Sequence, residues 1–360
     1  MDLYVYDEKV SIIGIIDEYS SLMWIRRFSS AGAFELYVPA TPHNIALLQP
    51  HRYVYRDDVD EAMYISTVKE KKTDDENTLT ISGYSLDGLF RKRCIPAKLD
   101  RSSMIANLEQ CTHFGCETVF CDPDKYDSGT TAQETFNEDD NAETYMRFVL
   151  KKSKCFMQGR LNVTERRLEF TLKKAKDLSE KVIFSEDYDN LTNSNYEFSE
   201  EGCGNVIYGR CKKPSSDVEC PNGLPTYTIG SENTGLAASE KVLLVDPVIE
   251  LGFRFVANGE FFKVEEYNFV NYDRSLAVLK EKCDAEFKNY TENFSADITV
   301  AEQYRRDFDI GDTVAIQNDL RNIRYYKPVE EVEETFDATG YVVSPTFGDP
   351  LKTIYDYIKY

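Results

Sequence analysis

The side chains best suited to bind a metal ion lie between positions 111 and 121. This stretch holds Cys111, His113, Cys116 and Cys121, and His113 is one of only three histidines in the chain. Thiolate and imidazole are common zinc ligands, but the two four-residue gaps differ from the CxxC pair of a zinc knuckle or ribbon. The spacing favours free thiols, with Cys111 at the buried end of a helix, and leaves zinc as the alternative.

Acidic residues offer a second kind of chemistry, because two carboxylates facing each other can hydrolyse a glycosidic bond. The densest acidic runs are 57–58, 74–76 and 138–140, and all three lie in polar segments typical of turns. The last run could also bind calcium, although no EF-hand pattern surrounds it. We interpret the three runs as solvated turns.

The best-known catalytic and nucleotide-binding motifs do not occur in the sequence. It contains no HExxH, no GxGxxG, no GxxxxGK[ST] and no GxSxG. We therefore predict a protein that is not an enzyme and that binds no cofactor and no metal. A cell-wall glycosidase or peptidase remains one alternative, and a module that binds surface carbohydrate remains another.

The single tryptophan lies in a predicted β-hairpin. Leu22, Trp24 and Arg26 alternate along one strand, and a Gly-containing turn precedes a second alternating strand that carries Glu35. We predict that Trp24 is a core residue and that Arg26 forms a buried pair with a carboxylate such as Glu35, which would set the register of the hairpin. A role of Arg26 in a subunit interface is the alternative.

Composition and charge narrow the class of protein. The chain has 360 residues, 42% of them hydrophobic, and its 24 Tyr and 21 Phe often stand in short β-type runs, which favours a β-rich protein with its own cores. The net charge of −21 opposes unspecific binding to nucleic acid or to anionic membrane. Nine scattered cysteines without an export signal indicate reduced cytosolic thiols, and we expect no membrane segment.

The period of the apolar residues changes along the chain and predicts mainly β structure with α+β insertions. Short strands come first, then two helices around Met104 and Tyr145 followed by a hairpin, then further strands, a helix over 276–290 and a last small β-unit. Ser85 and Ser102 are candidate helix caps, and Gly115 is a candidate helix stop. We predict an N-terminal β-barrel at 1–95, an α+β insertion at 96–180, a second barrel-like domain at 181–290, a small β-domain at 291–348 and a short tail at 349–360.

Four stretches, taken in order, resemble the tail-hub proteins of siphoviruses and prophages, also called tail-associated or baseplate-hub-like proteins. They are LMWIRR at 22–27 with GAFELYVP at 32–39, ISGYSL at 81–86 with RKR at 91–93, VIFS at 182–185 with DNL at 189–191 and Tyr196, and DIGDTV at 309–314 with PTFG at 345–348. Within them the resemblance singles out thirteen structural residues: Trp24, Arg26, Gly32, Phe34, Glu35, Pro39, Gly83, Asn190, Gly311, Asp312, Pro345, Phe347 and Gly348.

The resemblance implies a fold of small tube-type β-barrels and a structural function. It implies a homotrimer in which two barrels per subunit form a pseudo-sixfold ring, joining the hexameric tail tube and distal tail protein to the threefold tip. Further implied partners are the tape-measure protein, downstream tip or receptor-binding proteins, and phage DNA that passes through without specific binding. The implied location is the virion tail tip, after assembly in the host cytoplasm, and no catalytic residue is implied.

Overall fold

The computed structural model describes residues 1–73, 77–95, 103–112, 114–121, 140–188, 190–191, 194–199, 206–211, 223, 226–229, 243–251, 256–257, 260–261, 272–273, 276–277, 279–280, 291–296, 304–318 and 323–348. Most of this structure is β-strand, as the sequence predicts.

The N-terminal unit consists of seven strands and one short helix. They are β1 (Leu3–Tyr6), β2 (Ile12–Ile16), β3 (Ser21–Arg27), β4 (Ala33–Pro39), α1 (Pro42–Leu47), β5 (Tyr53–Arg56), β6 (Glu61–Lys72) and β7 (Asn77–Ser85). The strands pair antiparallel in the order β3-β4-β7-β6-β5-β1-β2. Helix α1 begins after Thr41, whose side chain accepts a hydrogen bond from the amide of Asn44 and so satisfies one free donor of the first turn.

The next unit is a small α+β insertion. A 3-10 helix (Leu86–Lys92) leads into α2 (Met104–Glu109), β8 (Glu117–Cys121), α3 (Ala142–Ser153), β9 (Cys155–Asn162) and β10 (Arg167–Lys174). The last three strands form their own sheet in the order β8-β10-β9. This succession of two helices and a hairpin confirms the predicted elements of the insertion.

The remaining strands form the second half of the chain. They are β11 (Ile183–Phe184), β12 (Ser194–Ser199), β13 (Val206–Cys211), β14 (Thr226–Ile229), β15 (Leu243–Leu251), β16 (Val256–Ala257), β17 (Glu260–Phe261), β18 (Thr291–Ala296), β19 (Thr313–Asn318), β20 (Ile323–Asp337) and β21 (Gly340–Phe347), with a 3-10 turn at Glu186–Tyr188. Strands β13 to β15 form one small sheet, and β16 with β17 form another.

One long sheet connects the two ends of the chain. Strand β20 pairs antiparallel with β3, so the order β12-β18-β21-β20-β3-β4-β7-β6-β5-β1-β2 runs through strands of both the first and the last predicted domain. The N-terminal part of β20, from Ile323 to Pro328, pairs antiparallel with β19, and β19 pairs in turn with β11. The predicted domain boundaries stay a prediction, but the first and last β-units share one sheet.

Three hydrophobic clusters fill the described part of the molecule. The first lies inside the N-terminal unit around Trp24, Phe34 and Leu36. The second lies between the other face of that sheet and the insertion, around Phe90 and Phe170. The third lies in the C-terminal β-unit and is rich in Phe and Val, with members such as Phe184, Phe308, Val329, Val332 and Phe347.

Several predicted helix signals differ from the structure. Ser85 precedes the 3-10 helix without capping it, because its hydroxyl accepts from the amide of Gly32 instead. The cap of α2 is Ser103, which accepts from the amide of Ala106, and not Ser102. Helix α2 ends at Glu109, so Gly115 is not its stop.

Other predicted segments fall largely outside the described residues. Of the predicted helix over 276–290, residues 276–277 and 279–280 are helical, and the rest lies outside the described part. The predicted loop at 122–140 lies outside it except for Asp140, and so does the tail at 349–360. In the described part of the chain, no helix is long and apolar enough to cross a membrane.

Candidate functional site

The most unusual feature of the structure is a group of buried and partly buried charged side chains where two β-units, the N-terminal unit and the C-terminal β-unit, meet. We call it the ionic cluster, and its members come from β3, β5, β6, β20 and the turn before β19: Arg26, Arg56, Glu61, Arg305, Asp309 and Glu334. The register of β3 with β20 builds this site. It places Trp24 opposite Glu334 and Arg26 opposite Val332, and opposite residues in an antiparallel pair point to the same face.

Glu61 is the centre of the ionic cluster. Its Oε1 lies 2.9 Å from Arg26 Nε and 2.7 Å from Arg305 Nη1, and its Oε2 accepts from Trp24 Nε1 at 3.1 Å. Burial favours the neutral acid, but the charges of Arg26 and Arg305, with the hydrogen bonds from Arg305 and Trp24, outweigh burial and lower the pKa of Glu61 to about 2. Glu61 is therefore ionised at neutral pH.

Glu334 is the second acceptor and lies on the C-terminal unit. Its carboxylate accepts from Arg305, from Arg56 Nη1 at 3.2 Å and from the Tyr341 hydroxyl at 2.9 Å. Arg56 is only 1% exposed, and its guanidinium lies 5.4 Å from the ring centroid of Trp24 and 4.8 Å from that of Phe336. These aromatic faces compensate part of the cost of burying the cation.

Arg26 connects β3 to the turn before β19. Its Nη1 donates to the hydroxyl of Tyr304 at 2.6 Å and to the carboxylate of Asp309. Burial raises the pKa of Asp309, but the charge of Arg26 and its hydrogen bond outweigh this effect, so the net shift is downward. Each end of the Arg26 guanidinium thus binds a carboxylate from a different β-unit.

Arg305 adopts an unfavourable backbone conformation to reach the ionic cluster. Its φ of 68° lies in the left-handed region, which costs a residue other than glycine roughly 1–2 kcal/mol. The contacts with Glu61 and Glu334 hold its side chain between the two β-units. A strained backbone conformation of this kind persists only where many surrounding contacts hold it in place.

Charges in the ionic cluster are balanced. Three guanidinium groups face three carboxylates, and Asp58 at the edge adds a further contact to Arg56 at 2.8 Å. Because every charge has an opposite partner, burial is tolerated, whereas loss of one partner would leave an uncompensated charge. These ion pairs therefore have a structural role, because they fix the position of one β-unit on the other.

The predicted pairing of Arg26 with Glu35 is wrong. Glu35 lies opposite Met23 on β3, on the face away from Trp24 and Arg26, and it accepts from the hydroxyl of Tyr37. Trp24 is fully buried in the first core, as predicted, and contacts the ring of Phe34 with centroids 6.0 Å apart.

The glycines among the predicted structural residues allow close backbone contacts. A Cβ on Gly83 would lie 1.8 Å from the carbonyl oxygen of Tyr64 and 2.7 Å from the ring of Phe34, beside the bulge between Ile65 and Thr67. A Cβ on Gly32 would lie 2.4 Å from the carbonyl oxygen of Ile25. Both positions therefore require glycine for steric reasons.

The DIGD turn predicted from the sequence lies directly beside the ionic cluster. Asp312 accepts through Oδ2 from the amide of Asp309 and through Oδ1 from the amide of Lys176, which fixes the turn to the end of the insertion. Gly311 has a φ of 84°, and a Cβ there would lie 2.5 Å from the ring of Phe28. This turn positions Asp309 for its contact with Arg26.

The other predicted structural residues lie in separate parts of the β-units. Asn190 accepts from the amide of Ser185 and donates to the carbonyl of Ile183, which closes the loop after β11. Pro39 ends β4, while Pro345 and Phe347 lie on β21, and Gly348 follows with a φ of 83°. Of the thirteen, Arg26 belongs to the ionic cluster, Trp24 donates to Glu61, and Asp312 accepts from the amide of Asp309 in the turn that also contains Gly311.

The metal and carboxylate candidates are dispersed in the described residues. Cys111 follows α2 and is 4% exposed, whereas Cys116 and Cys121 are partly exposed, and His113 lies outside the described part. No group of three or more metal-ligating side chains occurs among the described residues. The acidic run 57–58 lies in the turn between β5 and β6, and the run 74–76 lies outside the described part.

Four members of the ionic cluster were not predicted from the sequence: Arg56, Glu61, Arg305 and Glu334. A signal exists in two of the strands, because Arg56 and Glu334 occupy positions that share a face with apolar residues such as Val54 and Val332. A charge at an inward position of an alternating strand indicates a buried partner elsewhere in the chain.

The chain matches a known protein family over most of its length. A protein family described as siphovirus ReqiPepy6 Gp37-like protein matches residues 2–104 and 131–349. No curated protein matches the chain.

Three solved structures resemble the chain over nearly its whole length. Prophage tail protein gp18 from Listeria monocytogenes EGD-e is 12% identical with a TM-score of 0.52, over 99% of this chain and 96% of its own. The 43 kDa tail protein of prophage MuSo2 from Shewanella oneidensis is 12% identical with a TM-score of 0.55, over 96% and 98%. A tail protein from Neisseria meningitidis MC58 is 10% identical with a TM-score of 0.56, over 96% of each chain.

Proposed function

The chain belongs to the family of siphovirus ReqiPepy6 Gp37-like proteins and is a tail protein of the siphovirus or prophage type, and on this premise we propose that it is the hub of the tail tip. In this proposal three copies form a ring that joins the hexameric tail tube and distal tail protein to the threefold tip. The ring surrounds the channel through which DNA leaves, and the protein has no catalytic role.

The observation that carries the proposal is the pairing of β3 with β20. Through this pairing, two β-units with separate hydrophobic cores become parts of one sheet within a single subunit. Three such subunits around a threefold axis would present six β-units to the tail tube. A subunit of this kind is suited to match sixfold to threefold symmetry.

The ionic cluster supports the same function, because an adapter must keep its two β-units in a constant relative position. Six charged side chains meet at the junction. The single side chain of Arg305 contacts both Glu61 of the first unit and Glu334 of the last. We propose that these charged pairs, each with a specific partner across the junction, favour a single arrangement of the two units. We propose that this cluster and the predicted structural residues beside it hold the hub subunit in shape.

The ends of the long sheet are natural surfaces for contact between subunits. In the described part of the chain, β2 is the last strand at one end and β12 at the other, and β2 exposes Ile12, Ile13 and Ile15. A threefold ring needs two different patches on each subunit that meet head to tail, and open strand edges provide such patches. A permanent assembly of this kind typically buries more than about 2,000 Å².

The charge of the chain is compatible with a DNA channel. A net charge of −21 repels phosphate, which would let DNA pass without specific binding. We propose the tape-measure protein and downstream tip or receptor-binding proteins as further partners, the virion tail tip as location, and the host cytoplasm as the place before assembly.

Light scattering on the purified protein at several concentrations tests the proposal. We expect a particle of three times the chain mass of 41.4 kDa, either alone or after addition of the cognate distal tail protein. A protein that stays monomeric both alone and with the distal tail protein would contradict the hub function.

A further inference from the structure

Two cysteines of the insertion lie next to each other although neither is part of a metal site. Cys94 is exposed two residues after the 3-10 helix, and Cys111 is buried two residues after α2. The Sγ of Cys111 lies 3.0 Å from the carbonyl oxygen of Cys94 and 3.4 Å from that of Asn107. A thiol therefore contacts the backbone of another cysteine.

The geometry of this contact is compatible with a disulfide. Standard bond lengths place the two Cα atoms at most about 8 Å apart when Sγ of one residue lies 3.0 Å from the carbonyl oxygen of the other. Disulfides need Cα atoms about 4.4–6.8 Å apart, a range that lies below this upper bound, so the contact allows the two sulfur atoms to meet after rotation of the side chains.

The other described cysteines with side-chain contacts have different neighbours. The thiol of Cys116 lies at the hydroxyl of Tyr53, and that of Cys155 contacts the carbonyl of Ser153. Among the described hydrogen bonds, only the Cys111 thiol reaches another cysteine residue.

We propose that Cys94 and Cys111 are a redox pair that forms an intramolecular disulfide when the protein meets a low-molecular-weight disulfide, such as oxidised glutathione. The bond joins the start of the insertion to the end of α2. The inference goes beyond the hub function and does not depend on it.

The accessibility of the two thiols sets the order of the reaction. The Cys94 thiolate attacks oxidised glutathione, which forms a Cys94–glutathione mixed disulfide and releases one glutathione thiolate. The Cys111 thiolate then attacks the Cys94 sulfur, the protein disulfide forms, and the second glutathione leaves. The two protein thiols lose two electrons, oxidised glutathione gains them, and the two thiol protons go to the two glutathione thiolates.

Burial explains why Cys111 acts second. Burial raises the pKa of the Cys111 thiol, nearby Arg93 opposes this effect and Cys94 adds to it, so few thiolates exist at neutral pH. Exposed Cys94 is the accessible nucleophile, and the mixed disulfide then brings the leaving group next to Cys111. In a reducing cytoplasm both thiols stay reduced, and the bond forms after exposure to an oxidising medium.

The test treats the full-length folded protein with oxidised glutathione and maps the products by mass spectrometry. Trypsin cleaves after Arg93, Lys98 and Arg101, so the disulfide would join the peptide 94–98 to the peptide that begins at Ser102. Chymotrypsin cleaves after Phe114 and Phe120, which separates Cys111 from Cys116 and Cys121. We expect a joined pair of peptides that contains Cys94 and Cys111, with a loss of two mass units relative to the reduced peptides.

Two variants and a control complete the test. Cys94→Ser and Cys111→Ser should each abolish the joined pair, and Cys111→Ser should leave glutathione attached to Cys94. Cys155→Ser removes a buried thiol with another partner and should leave the pair intact. A stable Cys94–glutathione adduct in the unchanged protein, with Cys111 still free, would overturn the proposal, and so would joining of Cys94 to Cys116 or Cys121.

Discussion

Arg305 Nη1 lies 2.7 Å from Glu61 Oε1, although the two residues are 244 positions apart in the chain. This contact joins β6 of the first β-unit to the turn that precedes the last one. Because Arg305 also binds Glu334, a single side chain holds together two strands that belong to different cores.

Replacement of Glu61 by Gln should strongly destabilise the protein. The variant Glu61→Gln keeps the shape of the side chain but leaves Arg26 and Arg305 without their shared carboxylate. Removal of one partner of a buried pair costs about 3–5 kcal/mol in free energy of unfolding. Urea unfolding followed by circular dichroism measures this loss.

The control is an exposed ion pair close to the same turn. Arg306 and Asp307 lie 2.8 Å apart with both side chains largely exposed, and exposed ion pairs contribute little to stability, so Asp307→Asn should shift the urea midpoint far less than Glu61→Gln does. Equal losses for Glu61→Gln and Asp307→Asn would show that the ionic cluster does not hold the two β-units together.

Acid should weaken the ionic cluster in a defined pH range. The pKa of Glu61 is about 2 in the folded protein and 4.5 ordinarily, so the unfolded chain takes up this proton first as the pH falls. The stabilisation is complete above about pH 4.5 and is lost progressively as the pH falls towards 2. Urea midpoints measured at pH 6, 4 and 3 should therefore decrease in that order.

The difference between unchanged protein and Glu61→Gln isolates the part that belongs to Glu61. This difference should be largest at pH 6 and should shrink at pH 3, because the carboxylate then contributes less in the unchanged protein. A difference that is the same at all three pH values would argue against an ionised Glu61 in the folded state.

Gly83 should not tolerate even the smallest side chain. In Gly83→Ala the new methyl group would lie 1.8 Å from the backbone oxygen of Tyr64, so β6 or β7 must move. We expect a loss of more than about 2 kcal/mol, because overpacking against backbone typically costs about 1–3 kcal/mol or more. Thermal unfolding would show this as a lower melting temperature.

Gly14→Ala is the matched control in the same unit. Its methyl group would meet only the end of the Leu47 side chain, 2.7 Å away, which can rotate. The melting temperature of Gly14→Ala should therefore fall less than that of Gly83→Ala. The reverse order would mean that the close approach of Gly83 to β6 is not what demands glycine there.

Asn190 should contribute through both ends of its amide. Asn190→Ala removes the acceptor for the Ser185 amide and the donor to the Ile183 carbonyl, which should cost about 1–2 kcal/mol. Asn190→Asp keeps the acceptor but sets a carboxylate against the Ile183 carbonyl. Urea unfolding of both variants tests this, and an Asn190→Ala protein as stable as the unchanged one would show that these two hydrogen bonds of Asn190 do not stabilise the loop after β11.

The exposed isoleucines of β2 should matter for assembly rather than for folding. In the double variant with Ile13→Lys and Ile15→Lys, two charges replace side chains that are 39% and 43% exposed. Charged residues on an edge strand discourage pairing with another chain. We expect the proposed trimer, followed by light scattering, to dissociate at higher protein concentrations than in the unchanged protein, with the melting temperature of the subunit little changed.

Val163→Lys provides the comparison, because Val163 is 38% exposed but follows β9 in the insertion. Its trimer should persist at the same concentrations. If both variants leave association unchanged, β2 is not a subunit contact, while the hub function itself would still be judged by the mass of the unchanged protein.

Local pattern in the sequence determined much of the β-structure. Alternation around Trp24 and Phe34 depends only on which side chains avoid water, so β3, β4 and their turn follow from neighbouring residues. The DIGD turn and the helix around Tyr145 follow from equally local signals. Composition and the order of four short stretches also indicated the tail-protein family.

Only the tertiary structure decided which charges meet. Arg26 was recognisable as an inward residue, but its partners Glu61, Tyr304 and Asp309 lie on elements that no local pattern connects to β3. The nearer carboxylate, Glu35, is excluded because successive side chains of a strand point to opposite faces and its register places it with Met23. The pairing of β20 with β3 joins segments that are far apart in the chain. It depends on the burial of two complete cores and on the balance of charge between them.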